Sequence, residues 1–232
     1  VGEGRCMDGN GHLLQVTVTP RVAVDTVLFT ISDRTLNALI VKIKQGPLTG
    51  QWAFPGGLVL AGEGLEDAAR RELFEKTGVA DLYLEQLYTF GETRRDPTAH
   101  TISVAYFALV PPVVETPSRG EKYAEVRWAP VYALPPLAYD HNVIADYALQ
   151  RLRAKLSYTN IVYSLLLTEF TLADLQELYE VILHRPLDRR NFRRKILALG
   201  LLKTLPKTRR GAHRPATLYA FTQRSPMNIE VL

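Results

Sequence analysis

One cysteine, Cys6, in 232 residues excludes a disulfide within the chain. Its position near the amino end, in a segment expected to be loose, suggests an incidental thiol. No stretch reaches the roughly 18 consecutive apolar residues that a membrane-spanning helix requires. The densest run, residues 161–167, is interrupted by Tyr163 and Ser164, so no membrane partner is expected. The first residues are polar and glycine-rich, which does not read as a secretory signal, and the expectation is a soluble, cytoplasmic protein. There is no internal repeat and no low-complexity tract. The histidines His12, His100, His141, His184 and His213 show no metal-ligand spacing, so surface or capping roles are expected for them. His141 follows a helix cap and would report on a domain junction.

What is present is ordinary globular material: 47% hydrophobic and 22% charged residues, enough for a sizeable core and unlike a disordered tail. The length suits one large domain or two small ones. The charge favours two. Although 28 Lys+Arg against 24 Asp+Glu gives a net charge of only +4, residues 1–155 carry 16 basic and 18 acidic side chains, and residues 156–232 carry 12 and 6. Between Arg185 and Arg214 there are 11 basic residues and one acid, Asp188. Charge of one sign held in one segment attracts polyanions. A solvated helical face is the alternative, and the arrangement of the residues must decide between them.

Two β-prone runs, residues 22–32 and 36–44, flank the turn Asp33-Arg34-Thr35, and a glycine-rich loop then leads to Trp52-Ala53-Phe54-Pro55-Gly56-Gly57. A helix is expected from Leu65, with Leu65, Ala68, Ala69 and Leu73 facing inward and Gly78 ending it. Strands are expected again at 83–90, 102–110 and 125–129, which makes this first domain mixed α/β. Beyond Leu134-Pro135-Pro136, Asp140 is placed to cap a connecting helix through Ile144, Ala148 and Leu152 to Lys155. The second domain then starts at residue 156, its first helical unit near Tyr158.

Reading from Gly57, five residues lead to Glu63, and seven more to Arg71-Glu72-Leu73-Phe74-Glu75-Lys76-Thr77-Gly78-Val79. This resembles the Nudix box over 23 positions, and implies a Nudix α/β/α sandwich with a mixed sheet. On a helix, positions 72, 75 and 76 share one face, where three carboxylates would hold Mg²⁺ to neutralise a diphosphate and activate water. The resemblance implies metal ligation by Glu72, Glu75 and the Gly56 carbonyl, with Glu63 and Arg71 bracing the loop against the helix. This chain departs from the pattern at Lys76, where a cation replaces the second acid of the pair. The exchange weakens or removes the metal site and with it hydrolysis, while nucleotide binding is retained. Further on, Phe90-Gly91-Glu92-Thr93-Arg94-Arg95-Asp96-Pro97 resembles the Arg-Asp-Pro loop of Nudix proteins that handle ADP-ribose. By that resemblance Gly56, Gly57, Arg94, Arg95 and Asp96 are the effector-binding candidates, with Arg94 or Arg95 forking onto a phosphate. Asp96-Pro97 taken alone also reads as a turn.

In the basic segment, Thr171 and Asp174 have capping-box spacing ahead of the stripe Leu175, Leu178, Tyr179 and Ile182. After His184-Arg185-Pro186-Leu187, Asp188 can cap a second helix whose inner stripe is Phe192, Ile196 and Leu199, ending at Gly200. Its opposite face carries Arg190, Arg193 and Arg194 beside Asn191, with Arg189 and Lys195 on the flanks. Short strands at 201–205 and 216–221 enclose a basic hairpin with Lys207, Arg209, Arg210 and Arg214. Helix, turn, helix and hairpin is a winged helix-turn-helix layout, the second helix reading a major groove and the hairpin touching phosphates of double-stranded DNA.

Taken together, residues 170–180 and 187–197, following a degenerate Nudix box, resemble the Nudix-related transcriptional regulators of NAD metabolism. The resemblance implies a homodimeric repressor on a near-palindromic operator, with ADP-ribose or a related nucleotide as the ligand that releases it. Two other readings remain open at this stage: an active Mg²⁺-dependent ADP-ribose pyrophosphatase, and a regulator of the same layout responding to a sugar.

Overall fold

The sheet is organised around one long strand of 12 residues. The computed structural model describes the backbone of residues 5–7, 13–15, 19–77, 82–112, 123–210 and 215–229, and side chains from residue 19 onward except at 76 and 77. Strand β3 (Arg21–Ser32) lies at the centre of a mixed sheet, after a short antiparallel pair β1 (Arg5–Met7) and β2 (Leu13–Gln15). A turn with left-handed Asp33 and Arg34 (φ 48° and 58°) returns the chain as β4 (Thr35–Ile43); a tight hairpin needs such conformations. Strands β5 (Trp52–Ala53), β6 (Gly56–Leu58), β7 (Tyr83–Phe90), β8 (Thr101–Leu109) and β9 (Tyr123–Pro130) complete the sheet. The order is β5-β4-β3-β8-β7, with β9 also on β4 and β6 on β3. Among the described strand pairs, β3 and β8 run parallel, in register from Arg21↔Thr101 to Phe29↔Leu109.

Because successive side chains alternate between faces, β3 feeds two cores. Val24 and Leu28 pack on the face covered by α1 (Leu65–Thr77), with Ala68, Ala69 and Leu73. Val27 and Phe29 pack on the other face, beneath Ile144, Ala148 and Leu152 of α2 (His141–Tyr158). Sheet and helices thus form the expected α/β/α layers. Fully burying each of the Val, Leu, Ile and Phe side chains among these contributes about 1.5–3 kcal/mol.

Beyond α2, a 3-10 turn (Ile161–Ser164) leads to α3 (Leu172–Leu183), α4 (Arg189–Ala198) and the hairpin β10 (Leu202–Arg209) and β11 (Ala216–Phe221). Both capping expectations hold here. Thr171 Oγ1 accepts the Asp174 N–H at 3.1 Å, and Asp174 returns the bond to the Thr171 N–H at 2.8 Å. Asp188 caps α4 through the Asn191 N–H at 2.8 Å. Leu175, Leu178, Tyr179, Ile182, Phe192 and Ile196 are buried in the same cluster as the α2 side chains, so one core runs through both parts of the chain.

Several local expectations change. Leu65 is exposed (38%), because it opens α1 before the helix has settled on the sheet; the buried face instead includes Glu72. Asp140 occupies the cap position of α2 but makes no side-chain cap bond, its carboxylate being held by a guanidinium instead. The connecting helix runs past Lys155 to Tyr158. Strand β10 extends to Arg209, with its register shift between Thr204 and Thr208 where Pro206 lacks a donor N–H. Leu199 is half-buried. Cys6 lies in β1, paired opposite Leu14, rather than in a loose segment. Gly78, Arg214 and the side chain of Lys76 lie outside the described residues. Among the described residues, no helix is long and apolar enough to cross a membrane.

Candidate functional site

A cavity of about 390 Å³ opens between β3, β6, the loop 91–100 and the start of α2, within the size range of small-molecule sites. Its floor is set by Asp25, an acid inside the apolar run of β3. Gly56 faces Asp25 across the β3–β6 pair. A Cβ there would lie 2.3 Å from Asp25 Oδ1 and 2.5 Å from the Val24 carbonyl, so this close approach admits only glycine. Asp25 Oδ2 accepts from Ser103 Oγ at 2.6 Å and Arg95 Nη2 at 3.3 Å, with His141 Nε2 at 3.4 Å. Burial alone would push the carboxyl up, but His141, Ser103 and Arg95 outweigh it and hold Asp25 at about 2.

Arg95 is the hub of this network, and its side chain is 3% exposed. Nε donates to Asp140 Oδ2 at 3.0 Å, and Nη2 to Asp140 Oδ1 at 2.7 Å, a bidentate pair across the chain. His141 is 1% exposed rather than at the surface or in a cap. Its Nδ1 accepts the Phe54 N–H at 2.9 Å and its ring stacks on Phe54 at 5.6 Å. With Nδ1 taken by the Phe54 N–H, Nε2 is the ring nitrogen turned towards Asp25. The cations at the mouth are Arg21 and Lys44, both exposed.

Of the expected effector residues, Gly56, Gly57, Arg95 and Asp96 line the cavity. Arg94 is exposed and is not among the lining residues. Arg95 lines the wall with its fork already committed to Asp140, so a phosphate would not find it free. Asp96 accepts from the Thr98 N–H at 2.8 Å and Thr101 Oγ1 at 2.8 Å, closing the loop as a turn.

The bracing expected of Glu63 and Arg71 is present. Arg71 Nε and Nη2 donate to the two Glu63 oxygens at 2.7 and 3.0 Å, Nη2 reaches the Leu58 carbonyl at 3.3 Å, and the Leu60 N–H donates to Glu63 at 3.0 Å. The bond from Arg71, with that of the Leu60 N–H, lowers the Glu63 carboxyl to about 2. The same guanidinium bonds Glu72 through Nη1 at 2.7 Å and lies 3.7 Å from Glu75. A divalent cation would have to share Glu72 and Glu75 with it. Among the described residues, no group of three His, Cys, Asp or Glu side chains converges to hold a metal, and the Gly56 carbonyl accepts from the Tyr123 hydroxyl at 3.3 Å. Arg71 thus engages both remaining carboxylates of the box, and Lys76 stands at the position of the third.

The second candidate site is the outer face of α4. With Phe192 and Ile196 turned into the core, a helical period of about 100° per residue points Arg190 and Arg194 most directly away from it. Arg189 and Arg193 border a groove of about 750 Å³ shared with α3 and the hairpin; Asn191 and Lys195 lie on the other side, and all six are exposed. Asn191 Oδ1 accepts from Arg194 Nη2 at 3.1 Å. In the hairpin, Lys207 and Arg209 bond Glu169 and Asp174, each at 2.8 Å, and Arg210 is exposed.

Comparison with known proteins joins the two sites. Residues 19–152 match the NUDIX domain, and residues 162–221 match the NrtR DNA-binding winged helix domain. The ADPR responsive transcriptional repressor NtrR of Acinetobacter baylyi is 34% identical over 208 residues, 88% of this chain and 82% of that protein. The chain belongs to the NrtR family. The structure of Shewanella oneidensis NrtR complexed with a 27mer DNA superposes with a TM-score of 0.76 at 34% identity, covering 87% of this chain and 93% of that one. The NUDIX domain of the same protein complexed with ADP ribose superposes at 0.52 and 33% identity, covering 59% and 90%. The fold is therefore a Nudix mixed-sheet domain followed by an NrtR winged helix. Within this family member, the sequence reading missed Asp25, Ser103, Asp140 as an ion-pair partner, His141, Arg21 and Lys44. Only Asp25 carried a signal, as a charge within an otherwise apolar strand, where an acid is rarely buried without a partner.

Proposed function

We propose that this chain is a DNA-binding transcriptional repressor whose Nudix domain, residues 1–155, senses ADP-ribose and whose winged helix domain, residues 156–232, holds the operator. The carrying observation is the union, on one continuous core, of a nucleotide-sized cavity with an exposed basic α4. The relatives support it: one is named for its response to ADPR, one is complexed with DNA, and one domain is complexed with ADP ribose. ADP-ribose enters over Gly56 and Gly57, and Arg21 and Lys44 face its diphosphate. Arg190 and Arg194 enter the major groove, Arg189, Asn191, Arg193 and Lys195 flank them, and Lys207, Arg209, Arg210 and Arg214 follow the phosphates. Two copies on a near-palindromic operator, controlling genes of NAD cofactor metabolism, complete the reading.

Hydrolysis is not its principal work. Lys76 stands where the box has an acid, and Arg71 already engages Glu72 and Glu75. Binding must then act by preference: ADP-ribose releases DNA only by holding the DNA-incompetent arrangement more tightly, since equal affinity for both states shifts nothing.

The test is fluorescence anisotropy of a duplex selected by this protein from a randomised pool. Its affinity is expected to fall linearly in log–log fashion with salt, and added ADP-ribose is expected to release the duplex. A protein that selects no duplex would end this reading.

A further inference from the structure

Helix α2 is pinned at both ends. At its start, Asp140 takes the bidentate fork of Arg95 and His141 lines the cavity. Thirteen residues on, roughly 20 Å along the axis at 1.5 Å per residue, Arg153 Nε donates to the Ile182 carbonyl at 3.0 Å in the last turn of α3. Tyr132, in the 3-10 turn before α2, shares its hydroxyl proton between that carbonyl at 3.0 Å and Val181 at 3.3 Å, and accepts from Arg153 Nη2 at 3.2 Å. Its ring lies 4.5 Å from that of His184, which closes α3 in a left-handed conformation at φ 56°. The last carbonyls of a helix have no partner within it, and here the first domain supplies the partners. From α3 the connection continues across the turn towards α4, since Glu180 Oε1 accepts the Leu187 N–H at 2.9 Å and Gln176 Nε2 donates to the Leu187 carbonyl at 3.0 Å.

We propose that Tyr132 and Arg153 are the positioning residues that carry occupancy of the cavity to the DNA-binding face, with α2 as the rod between them and the Arg95–Asp140 pair. The proposal rests on the reading of the chain as an ADP-ribose-responsive DNA binder. Apolar contacts between α2 and α3 tolerate sliding, because they are non-directional. Hydrogen bonds near 3.0 Å weaken steeply when stretched or bent. A small displacement of α2 therefore either moves α3 and α4 with it or breaks these bonds. Another polar link between described residues of the two domains, Arg34 to Glu177 at 3.4 Å, joins side chains 75% and 39% exposed, and pairs of that kind contribute little.

The experiment is a linkage cycle. Calorimetry gives the Kd of ADP-ribose for the free protein and for the protein saturated with the selected duplex, and the ratio measures coupling. The double variant Tyr132→Phe/Arg153→Met keeps the ring and an unbranched stem but removes the bonds that cap α3. In the wild type the ratio is expected to fall in the range of roughly 5- to 150-fold. In the variant it falls to within about twofold of unity, with ADP-ribose affinity of the free protein and duplex affinity of the ligand-free protein each within about threefold of wild type. If the double variant does not fold, Tyr132→Phe alone is expected to lose a measurable part of the ratio. A wild-type ratio preserved in the variants overturns this inference alone. A wild-type ratio of one overturns the functional reading, and this inference with it.

Discussion

Replacing Arg95 by Met removes a charge that two carboxylates share in the interior. The guanidinium lies 2.7 Å from Asp140 and 3.3 Å from Asp25, and its side chain is 3% exposed. Breaking a buried pair by removing one partner costs about 3–5 kcal/mol. Asp140 moderates this: its side chain is 18% exposed, and once released it can turn to cap α2, worth about 1 kcal/mol. The net loss is therefore about 3 kcal/mol, or roughly 6–12 °C in Tm for a chain of this size. The acid limb gives a second, independent reading. Asp25 sits at about 2 against an ordinary 3.8, so its contribution of about 2 kcal/mol is present above pH 3.8 and lost as the pH falls towards 2. Without Arg95 one of the groups holding the carboxyl down is gone, and the loss begins at higher pH. Urea melts followed by circular dichroism, from neutral pH down to about pH 3, measure both effects. A loss under about 1 kcal/mol at neutral pH, together with an unchanged acid limb, would refute the view of Arg95 as the hub of this network.

Three further outcomes follow from the geometry. Gly56→Ala must displace the Val24 carbonyl or Asp25, costing about 1–3 kcal/mol and abolishing the heat of ADP-ribose binding; a variant that binds normally would remove the cavity floor from the account. Arg190→Ala and Arg194→Ala should each weaken the duplex complex by about 1–3 kcal/mol, roughly 5- to 150-fold, without touching ADP-ribose affinity, as anisotropy and calorimetry on the same preparations can show. Thr171→Ala deletes the acceptor for the Asp174 N–H and should lower stability by about 1 kcal/mol, with Thr171→Ser restoring it in a thermal melt.

The second domain was the more legible in sequence because its determinants are local. Thr171 with Asp174, Asp188 with Asn191, and the stripes on α3 and α4 all lie within a few residues of one another, the range over which capping and helical periodicity operate. The Nudix box was legible because its 23 positions are contiguous, and the resemblance carried the Glu63–Arg71 brace with it. The interior of the cavity was not. Asp25, Arg95, Ser103, Asp140 and His141 come from four separate stretches and meet only through the pairing of β3 with β8 and the docking of α2. Local rules assigned Asp140 to a cap, and the family resemblance offered Arg94 or Arg95 to a phosphate, yet Asp140 and Arg95 found each other across 45 residues. A bidentate charged pair in the interior outcompetes the single cap bond that sequence spacing offers.

The most direct test of the central claim is one calorimetric titration of the protein with ADP-ribose in the presence of Mg²⁺, with AMP assayed in the same cell. The account predicts a saturable heat of binding and no appreciable AMP over the titration. Rapid release of AMP, abolished by Glu75→Gln, would contradict it and make the Nudix domain a hydrolase.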